Sequence, residues 1–330
     1  MVPHYECVIR PVLEAIAVFA ARTIGVVLLS GDPERTRAFV AAQPRPERFS
    51  VVSAPFDSPW IRDRSPVAVR QRGGGLRWAV TRMQEAERPL DDVLFSRISR
   101  PRLDKVDLLL AQGNLVAGAD GLAISTARVR QDNPHADRAT YAAAAEQLGI
   151  RRWLVCRVFA RDTIGHADVY ARFLRPRLLA VAWSESLEPD RAVIADLEAR
   201  VRRARPGVEI VRLPMRSEGG LYASPLNWIQ IDRTLLVPRY PLTPEEDVDR
   251  IASTLGAAGF RPTFVDSPTA DLGGSLHCLT ASIYADAQLT GRASARARSS
   301  PARRPTRSAA PSLPAPGDRA PGATSAAPRS

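Results

Sequence analysis

The chain has 330 residues, enough for two average domains or for one large enzyme domain with a substantial core. Its three cysteines are too few for a disulfide framework, which excludes a small disulfide-stabilised scaffold and predicts a reducing, cytoplasmic location. The formal net charge of +11 by itself favours nucleic acid or an anionic membrane as a partner.

The charge is unevenly distributed along the chain. Residues 288–330 carry a net charge of +7 and consist almost wholly of Arg, Ala, Pro, Ser and Gly. Such a segment cannot bury enough apolar surface to fold, so a disordered tail is predicted. Residues 1–287 carry only +4 and contain neither zinc-ligand spacing nor an aromatic, basic RNA-binding motif. We therefore expect one folded domain over residues 1–287 and no nucleic-acid partner.

Apolar runs that alternate with helical patterns predict an α/β protein. The apolar stretch nearest the N-terminus is interrupted by Glu14 and Arg22, which argues against a signal peptide or a membrane span. The predicted strands, in chain order, cover residues 25–30, 49–54, 153–159, 178–183, 208–213, 234–238 and 262–265. The predicted helices cover residues 33–43, 141–148 and 190–203, and another begins with a capping-box pattern at residues 243–246.

Five polar loops begin where the apolar pattern stops, and such loops carry the sites of many α/β proteins. They lie at residues 57–63, 112–114 and 165–168, around Asn227, and at residues 273–278. They offer a cysteine after a Gly-Gly turn, a His-x-Asp pair that an extended segment would place on one face, and a tryptophan near an aspartate. Two carboxylates and an aromatic ring match the fixed donors and flat face of a guanidinium. Such a cation also favours the cysteine thiolate, which is the active nucleophile.

These loops resemble those of the agmatine deiminase and bacterial-type peptidylarginine deiminase family, part of the guanidine-modifying pentein superfamily. The resemblance covers roughly residues 25–285 and rests on Trp60-Ile-Arg-Asp63-Arg-Ser-Pro66, Gly113-Asn114, Gly165-His166-Ala-Asp168-Val-Tyr-Ala-Arg-Phe173, Asn227 followed by Val237-Pro238, and Gly273-Gly-Ser-Leu-His-Cys-Leu-Thr280. It implies a five-bladed α/β-propeller of ββαβ-type blades with pseudo-fivefold symmetry and a site in the central channel. The landmarks Asp63, Asn114, His166, Asn227 and Cys278 follow each other at intervals of 51 to 61 residues, which radial repetition would produce.

The resemblance also implies roles for individual residues. Cys278 is the expected nucleophile, Asp63 and Asp168 are expected to hold the guanidinium, and His166 is expected to move protons. Trp60, Asn114 and Asn227 are the expected substrate-binding residues. The implied reaction is hydrolytic deimination of agmatine, free arginine or an arginine peptide through a covalent thiouronium intermediate. It requires no metal or organic cofactor, and a homodimer is the expected assembly.

Several other polar residues have structural interpretations. Cys7 and Cys156 are predicted to be core residues, Asp57 a turn cap, and Arg62 and Asn133 structural supports. The histidines other than His166 are interpreted as structural hydrogen-bonding residues, namely His4, His135 and His277.

Two departures from the family pattern bear on function. Ala111-Gln112-Gly113-Asn114 stands where the family commonly has Glu-Gly-Gly-Asn, and Gly118-Ala119 where Asp-Gly is usual, so we expect an acidic contact to be missing. The N-terminus is shorter than the family pattern, which predicts a first blade that lacks a strand. Amidino transfer to an amine, a binding role without catalysis, and nucleic-acid binding through the tail remain alternatives.

Overall fold

The computed structural model describes residues 3–71, 75–83, 88–98, 103–184, 187–269 and 272–283. The helices in these ranges are α1 (Pro3–Ala21), α2 (Pro33–Ala41), α3 (Pro89–Ile98), α4 (Arg128–Gln131), α5 (Arg138–Gln147), α6 (Glu188–Ala204) and α7 (Glu245–Ala257). The strands are β1 (Val26–Ser30), β2 (Phe49–Ser53), β3 (Val67–Arg70), β4 (Leu76–Arg82), β5 (Leu103–Leu109), β6 (Val116–Ala117), β7 (Leu122–Thr126), β8 (Arg152–Cys156), β9 (Ala171–Arg175), β10 (Leu178–Ser184), β11 (Glu209–Glu218), β12 (Leu221–Ala223), β13 (Ile229–Ile231), β14 (Thr234–Arg239) and β15 (Arg261–Asp266).

Four sheets in the described part of the chain repeat one pattern. In each, a central strand pairs antiparallel with the strand before it and parallel with the strand after it, giving β3-β4-β5, β6-β7-β8, β9-β10-β11 and β13-β14-β15. A parallel pair needs a crossover connection, and α3, α4 with α5, α6 and α7 provide one for each sheet in turn. The α/β class is therefore confirmed. The arrangement of five blades around a common axis stays a prediction.

A smaller fifth sheet contains β1 and β2, which pair in parallel on either side of α2 in sequence. Within the described ranges it has no antiparallel strand. The start of α2 follows the predicted local chemistry. The Asp32 side chain accepts a hydrogen bond from the Arg35 backbone at 3.1 Å, and Pro33 occupies the first turn.

The largest core cluster lies around β10. This strand is a continuous apolar run because both of its faces are covered, as expected for a central strand of an α/β sheet. Leu179 and Val181 on β10 are fully buried, as are Ile194 and Leu197 on α6.

The seven strands and four helices predicted in the sequence are all present, but several boundaries need correction. Strand β11 continues to Glu218, five residues beyond the predicted end at residue 213, and helix α5 begins at Arg138, three residues before the predicted start at residue 141. The strand predicted over residues 153–159 ends at Cys156. After Cys156 the chain no longer pairs with the sheet, and the backbone N–H of Phe159 donates to the Tyr170 hydroxyl at 2.7 Å instead. The capping box at residues 243–246 does not form. Helix α7 begins at Glu245, so Pro244 and not Thr243 is the N-cap residue, and no side chain caps the helix.

The prediction that Cys7 is a core residue is wrong, because Cys7 is exposed. Helix α1 packs through Ile9, Val12 and Ile16, which share one face, and Cys7 lies on the opposite face. Cys156 is 1% exposed, as predicted. The predicted boundary at residue 287 and the tail at 288–330 lie outside the described ranges. No helix among the described residues is long and apolar enough to cross a membrane.

The polar loops occupy equivalent places in the repeated sheets. Short 3-10 turns at Ile61–Arg64, Gln112–Asn114 and Ala167–Val169 stand directly before β3, β6 and β9, and Asn227 stands directly before β13. Cys278 follows β15. The repeated strand pattern therefore gives these four loops the same relation to the sheet that follows, whereas Cys278 lies after the last strand of its sheet.

Candidate active site

The predicted site residues meet around one cavity of about 580 Å³. Five of the seven line it: Trp60, Asp63, Asn114, His166 and Cys278. Asp168 and Asn227 lie beside the cysteine, where each is hydrogen-bonded within the protein. Residues from loops that are more than 200 positions apart in sequence thus form a single concave site.

Cys278 lies in a loop that is held from three sides. Its carbonyl accepts a hydrogen bond from the Arg62 backbone at 3.1 Å. The Trp60 ring packs against Gly274 so closely that a Cβ on this glycine would be 2.6 Å from the ring. Beneath the loop, Ser267 hydrogen-bonds through its hydroxyl to the hydroxyls of Thr269 and Ser275, both at 2.9 Å. The glycine in the Gly-Gly turn is therefore required by the close approach of the tryptophan.

The environment of Cys278 keeps its sulfur protonated while the cavity holds no cation. Burial raises the pKa of the thiol, and the charges of Asp168 and Asp63 raise it further. Hydrogen bonds from the Ser275 backbone and the Asn227 side chain act in the opposite direction. A cation placed between the carboxylates and the sulfur would favour the thiolate.

In each of the two predicted carboxylates, one oxygen lies within hydrogen-bonding distance of a protein side chain and the other has no such partner among the described residues. Asp63 Oδ2 accepts from Arg88 Nη1 at 3.3 Å, and Asp168 Oδ2 lies 2.6 Å from His277 Nδ1. The other oxygen of each, Oδ1, is buried and has no hydrogen-bond partner among the described residues. Buried carboxylate oxygens are normally paired, so these two positions fit a ligand that brings N–H donors and positive charge.

Asp168 is fully buried, and this burial raises the pKa of its carboxyl. Burial raises the pKa of its carboxyl to about 6, against the charges of His166, Arg172 and Arg62, which lower it. Burial also holds the pKa of His277 well below its usual value. A neutral His277 can donate its Nδ1 proton to Asp168, which fixes the orientation of this carboxylate.

His166 is positioned by its own turn and by a neighbouring glycine. Its Nδ1 lies 3.7 Å from Asp63 Oδ1, beyond hydrogen-bonding distance but close enough for ionic attraction. A Cβ on Gly113 would lie 2.5 Å from the same Nδ1, so the ring packs directly on that backbone. The turn before His166 is stabilised by Asp162, whose Oδ1 accepts from the backbones of Ile164 and Gly165.

One expectation about this segment is wrong. The sequence predicted an extended segment with His166 and Asp168 on one face, but a 3-10 turn covers Ala167–Val169. Because of the turn, His166 lines the cavity beside Asp63, whereas Asp168 is buried against His277.

The two predicted asparagines have different surroundings. Asn114 lines the cavity, and its Oδ1 accepts from the Thr126 backbone at 2.8 Å. Asn227 is 3% exposed, and its side-chain amide donates to Asp168 Oδ2 at 3.4 Å and to Cys278 Sγ at 3.5 Å. These contacts orient the side chains of Asp168 and Cys278 relative to each other.

Sequence reasoning missed two residues of the site. Arg88 joins Asp63 to Asp91, with its Nε 2.8 Å from Asp91 Oδ2, and donates to the Trp60 carbonyl at 2.9 Å. Nothing in its local sequence distinguishes it from the other arginines. His277 was interpreted as structural, and its position next to Cys278 is the signal that could have marked it as a neighbour of the site.

Several structural interpretations agree with the contacts. Asp57 accepts from the Leu90 backbone at 2.7 Å and caps the start of α3. Asn133 bonds the backbones of Leu109 and Val129, and Arg62 donates to the His277 carbonyl at 3.2 Å. His135 is exposed, and the side chain of His4 lies outside the described residues.

The loop at residues 111–114 contributes to the cavity wall. Ala111, at the position where the family commonly has glutamate, lines the cavity and brings no charge. Gln112 turns away, and its amide donates to the Thr81 hydroxyl at 2.8 Å. Among the described residues there is no group of three or more His, Cys, Asp or Glu placed to hold a metal ion.

Comparison with known families gives a direct result. Residues 3–283 match the model of the Porphyromonas-type peptidyl-arginine deiminases. The chain belongs to this family. Among curated proteins it is similar to the agmatine deiminase of Pseudomonas fluorescens (strain SBW25), with 28% identity over 197 residues, which is 53% of this chain and 51% of the relative. The agmatine deiminase of Stutzerimonas stutzeri (strain A1501) is 28% identical over 178 residues, 48% of each chain. The chain thus spans about half the length of the curated relatives it matches.

Solved structures show the same fold. The agmatine deiminase of C. jejuni aligns with a TM-score of 0.69 at 19% identity, over 82% of this chain and 85% of that one. The agmatine deiminase of Enterococcus faecalis aligns with a TM-score of 0.68 at 16% identity, over 82% and 86%. These two solved structures therefore share the fold of this chain over 82% of its length.

Proposed function

We propose that this protein hydrolyses a guanidinium group to a ureido group and ammonia through a covalent intermediate on Cys278. The observation that carries the proposal is a pair of buried carboxylate oxygens without a hydrogen-bond partner among the described residues. That of Asp63 belongs to a residue that lines the cavity with His166 and Cys278, and that of Asp168 belongs to a residue that shares the Asn227 amide with Cys278. Membership of the peptidyl-arginine deiminase family supports the same reaction class.

The two carboxylates bind and orient the substrate. A guanidinium has five N–H donors in a fixed plane, so the open oxygens of Asp63 and Asp168 can each accept from a different nitrogen. Trp60, at the cavity wall, covers a flat face of the cation or its aliphatic tail. Binding also places positive charge near Cys278 and thereby offsets the two carboxylates that raise its pKa.

The first half of the reaction forms the intermediate. Cys278 gives up its proton to His166, and the sulfur attacks the guanidinium carbon to form an S–C bond. His166 then protonates one of the two terminal nitrogens, the C–N bond breaks, and ammonia leaves. A thiouronium cation remains on Cys278, held by the same two carboxylates.

The second half releases the product. Water enters the position of the departed ammonia, His166 takes one of its protons, and the oxygen bonds to the thiouronium carbon. The S–C bond then breaks, the product leaves with a ureido group, and the sulfur recovers a proton. The overall change is one guanidinium and one water converted to one ureido group and one ammonium ion.

The substrate is one of three guanidines: agmatine, free arginine or an arginine peptide. The uncharged wall at Ala111 removes a site for a second cationic group, which favours substrates whose far end carries no ammonium. We therefore rank arginine peptides above agmatine and free arginine, both of which carry an ammonium at the far end.

The test is a ureido-product and ammonia assay on the three substrates with wild type, Cys278→Ser and the matched control Cys7→Ser. Cys7 is exposed on α1, away from the cavity, so Cys7→Ser is expected to keep wild-type rates. Cys278→Ser is expected to lose about 10³-fold or more in kcat, because the hydroxyl is a far weaker nucleophile. Intact-mass analysis of acid-quenched wild type is expected to detect the covalent adduct. Full activity of Cys278→Ser would refute the mechanism.

A further inference from the structure

Arg172 lies on β9, four residues after Asp168, and reaches across to the loop before β13. Its Nη1 is 3.3 Å from the Leu226 carbonyl and 3.4 Å from the Trp228 carbonyl. Its guanidinium carbon lies 5.9 Å from the centre of the fully buried Trp228 ring. Among the described residues it has no carboxylate within salt-bridge distance, so its direct partners are backbone carbonyls.

The two carbonyls bonded by Arg172 are those on either side of Asn227. This asparagine is the residue that joins the parts of the site. Its amide donates to Asp168 Oδ2 and to Cys278 Sγ, and both its Oδ1 and its carbonyl accept from the His277 backbone, at 2.9 and 3.0 Å. A change in the backbone at Asn227 would move all three contacts together.

We propose that Arg172 is a positioning residue: it holds the backbone around Asn227 so that this side chain orients Cys278 and Asp168. The effect on turnover rests on the proposed function. The effect on the reactivity of the Cys278 thiol does not rest on the proposed function, and it can be measured as a rate of alkylation without a substrate.

The charges around Arg172 agree with this role. Burial lowers the pKa of Arg172 to about 10, and the charges of Asp168 and Cys278 act against that decrease, whereas Arg62 adds to it. Arg172 is therefore a cation at neutral pH. Interaction between two charges is reciprocal, so Arg172 stabilises the carboxylate and the thiolate by as much as they stabilise it. The other charged or titratable groups near Asp168 and Cys278 are Asp63, His166, His277 and Tyr240.

The first experiment measures the rate at which iodoacetamide alkylates Cys278 near neutral pH. A Cys7→Ser background removes the exposed cysteine, and Cys156 is 1% exposed. Arg172→Met is expected to slow alkylation about tenfold, because loss of the nearby cation raises the thiol pKa by about one unit. Arg172→Lys keeps the charge and is expected to stay within about threefold of the parent.

The direction of the change separates positioning from simple loss of structure. A loosened site would expose Cys278 and speed alkylation, whereas the proposal requires slower alkylation. Arg175→Met is the matched control, because Arg175 is on the same strand but is exposed and pairs with Glu209 at the surface. Its alkylation rate is expected to equal that of the parent. A parent-like or faster rate in folded Arg172→Met would overturn the proposal.

The second experiment measures turnover of whichever guanidine the wild type accepts. Arg172→Met is expected to lower kcat about 10²-fold and also to raise KM, because Asn227 positions both the nucleophile Cys278 and the substrate carboxylate Asp168. Adding Arg172→Met to Asn227→Ala is expected to give little further loss, since both act through one residue. If wild type turns over no guanidine, the proposed function fails while the alkylation result still decides the role of Arg172. If alkylation follows the prediction but kcat does not fall, the part of the inference that concerns turnover is wrong.

Discussion

Replacing Asp168 with asparagine removes a carboxylate that is fully buried and keeps one oxygen without a hydrogen-bond partner in the described structure. Its neighbour His277 lies 2.6 Å from the other oxygen, and an asparagine oxygen in that place can still accept its proton. The substitution therefore preserves most of the geometry and removes the charge. The variant is expected to lose activity. The difference in the free energy of unfolding between wild type and the variant is expected to depend on pH.

The magnitude follows from the pKa of Asp168. Burial raises it from 3.8 to about 6, so the folded protein holds this proton more tightly than the unfolded chain does. Ionising the buried group therefore destabilises the fold, with no penalty below about pH 4 and the full penalty above about pH 6. A shift of this size corresponds to about 3 kcal/mol.

Urea denaturation of wild type and Asp168→Asn across this range measures the effect. The free energy of unfolding of wild type, relative to the variant, is expected to fall by about 2 kcal/mol between about pH 4.5 and pH 7.5. Constant differences in hydrogen bonding cancel in this comparison. Repeating both measurements in a His277→Gln background removes the titration of the neighbouring histidine. A difference between the two proteins that does not change with pH would refute the argument from burial.

Two further predictions concern activity. Gly113→Ala places a Cβ 2.5 Å from His166 Nδ1, so it is expected to displace the imidazole ring and lower kcat about 10²-fold. Gly256→Ala is the control, because a Cβ at Gly256 meets nothing within 4 Å. This variant is expected to keep the steady-state rates of wild type. Equal rates for the two variants would contradict the packing of His166. The value of kcat/KM is expected to fall as the pH drops through about 6, where Asp168 takes up a proton and can no longer hold a guanidinium. A profile that is flat down to about pH 5 would show that Asp168 stays ionised in the free enzyme.

The sequence predicted two of the four central strands, β10 and β14, and missed β4 and β7. It predicted none of the antiparallel neighbours β3, β6, β9 and β13. Strands such as β10 are covered on both faces and show as continuous apolar runs. Strands β6 and β13 have two and three residues, and their conformation depends on pairing with β7 and β14. So short a segment carries no periodic signal of its own, and it was not predicted.

The site divides in a similar way. Cys278, His166 and Asp63 stand in motifs whose residue types and order are informative on their own, and the cavity brings these three together. Arg88 and His277 gain their importance from partners 25 and 109 positions away, Asp63 and Asp168 respectively. Only the folded chain makes such contacts visible.

Arginines surround a site that is proposed to bind a cation, and the reason lies in the ionisation of its acids. A carboxyl buried without nearby positive charge takes up a proton, and a neutral carboxyl cannot hold a guanidinium. Arg62 and Arg172 both lower the pKa of Asp168, yet the hydrogen bonds described for Arg172 go to backbone carbonyls. Arg88 engages only the Oδ2 atom of Asp63. Arg62 and Arg172 therefore favour the ionised form of Asp168, which under the proposed function is the form that binds the cation.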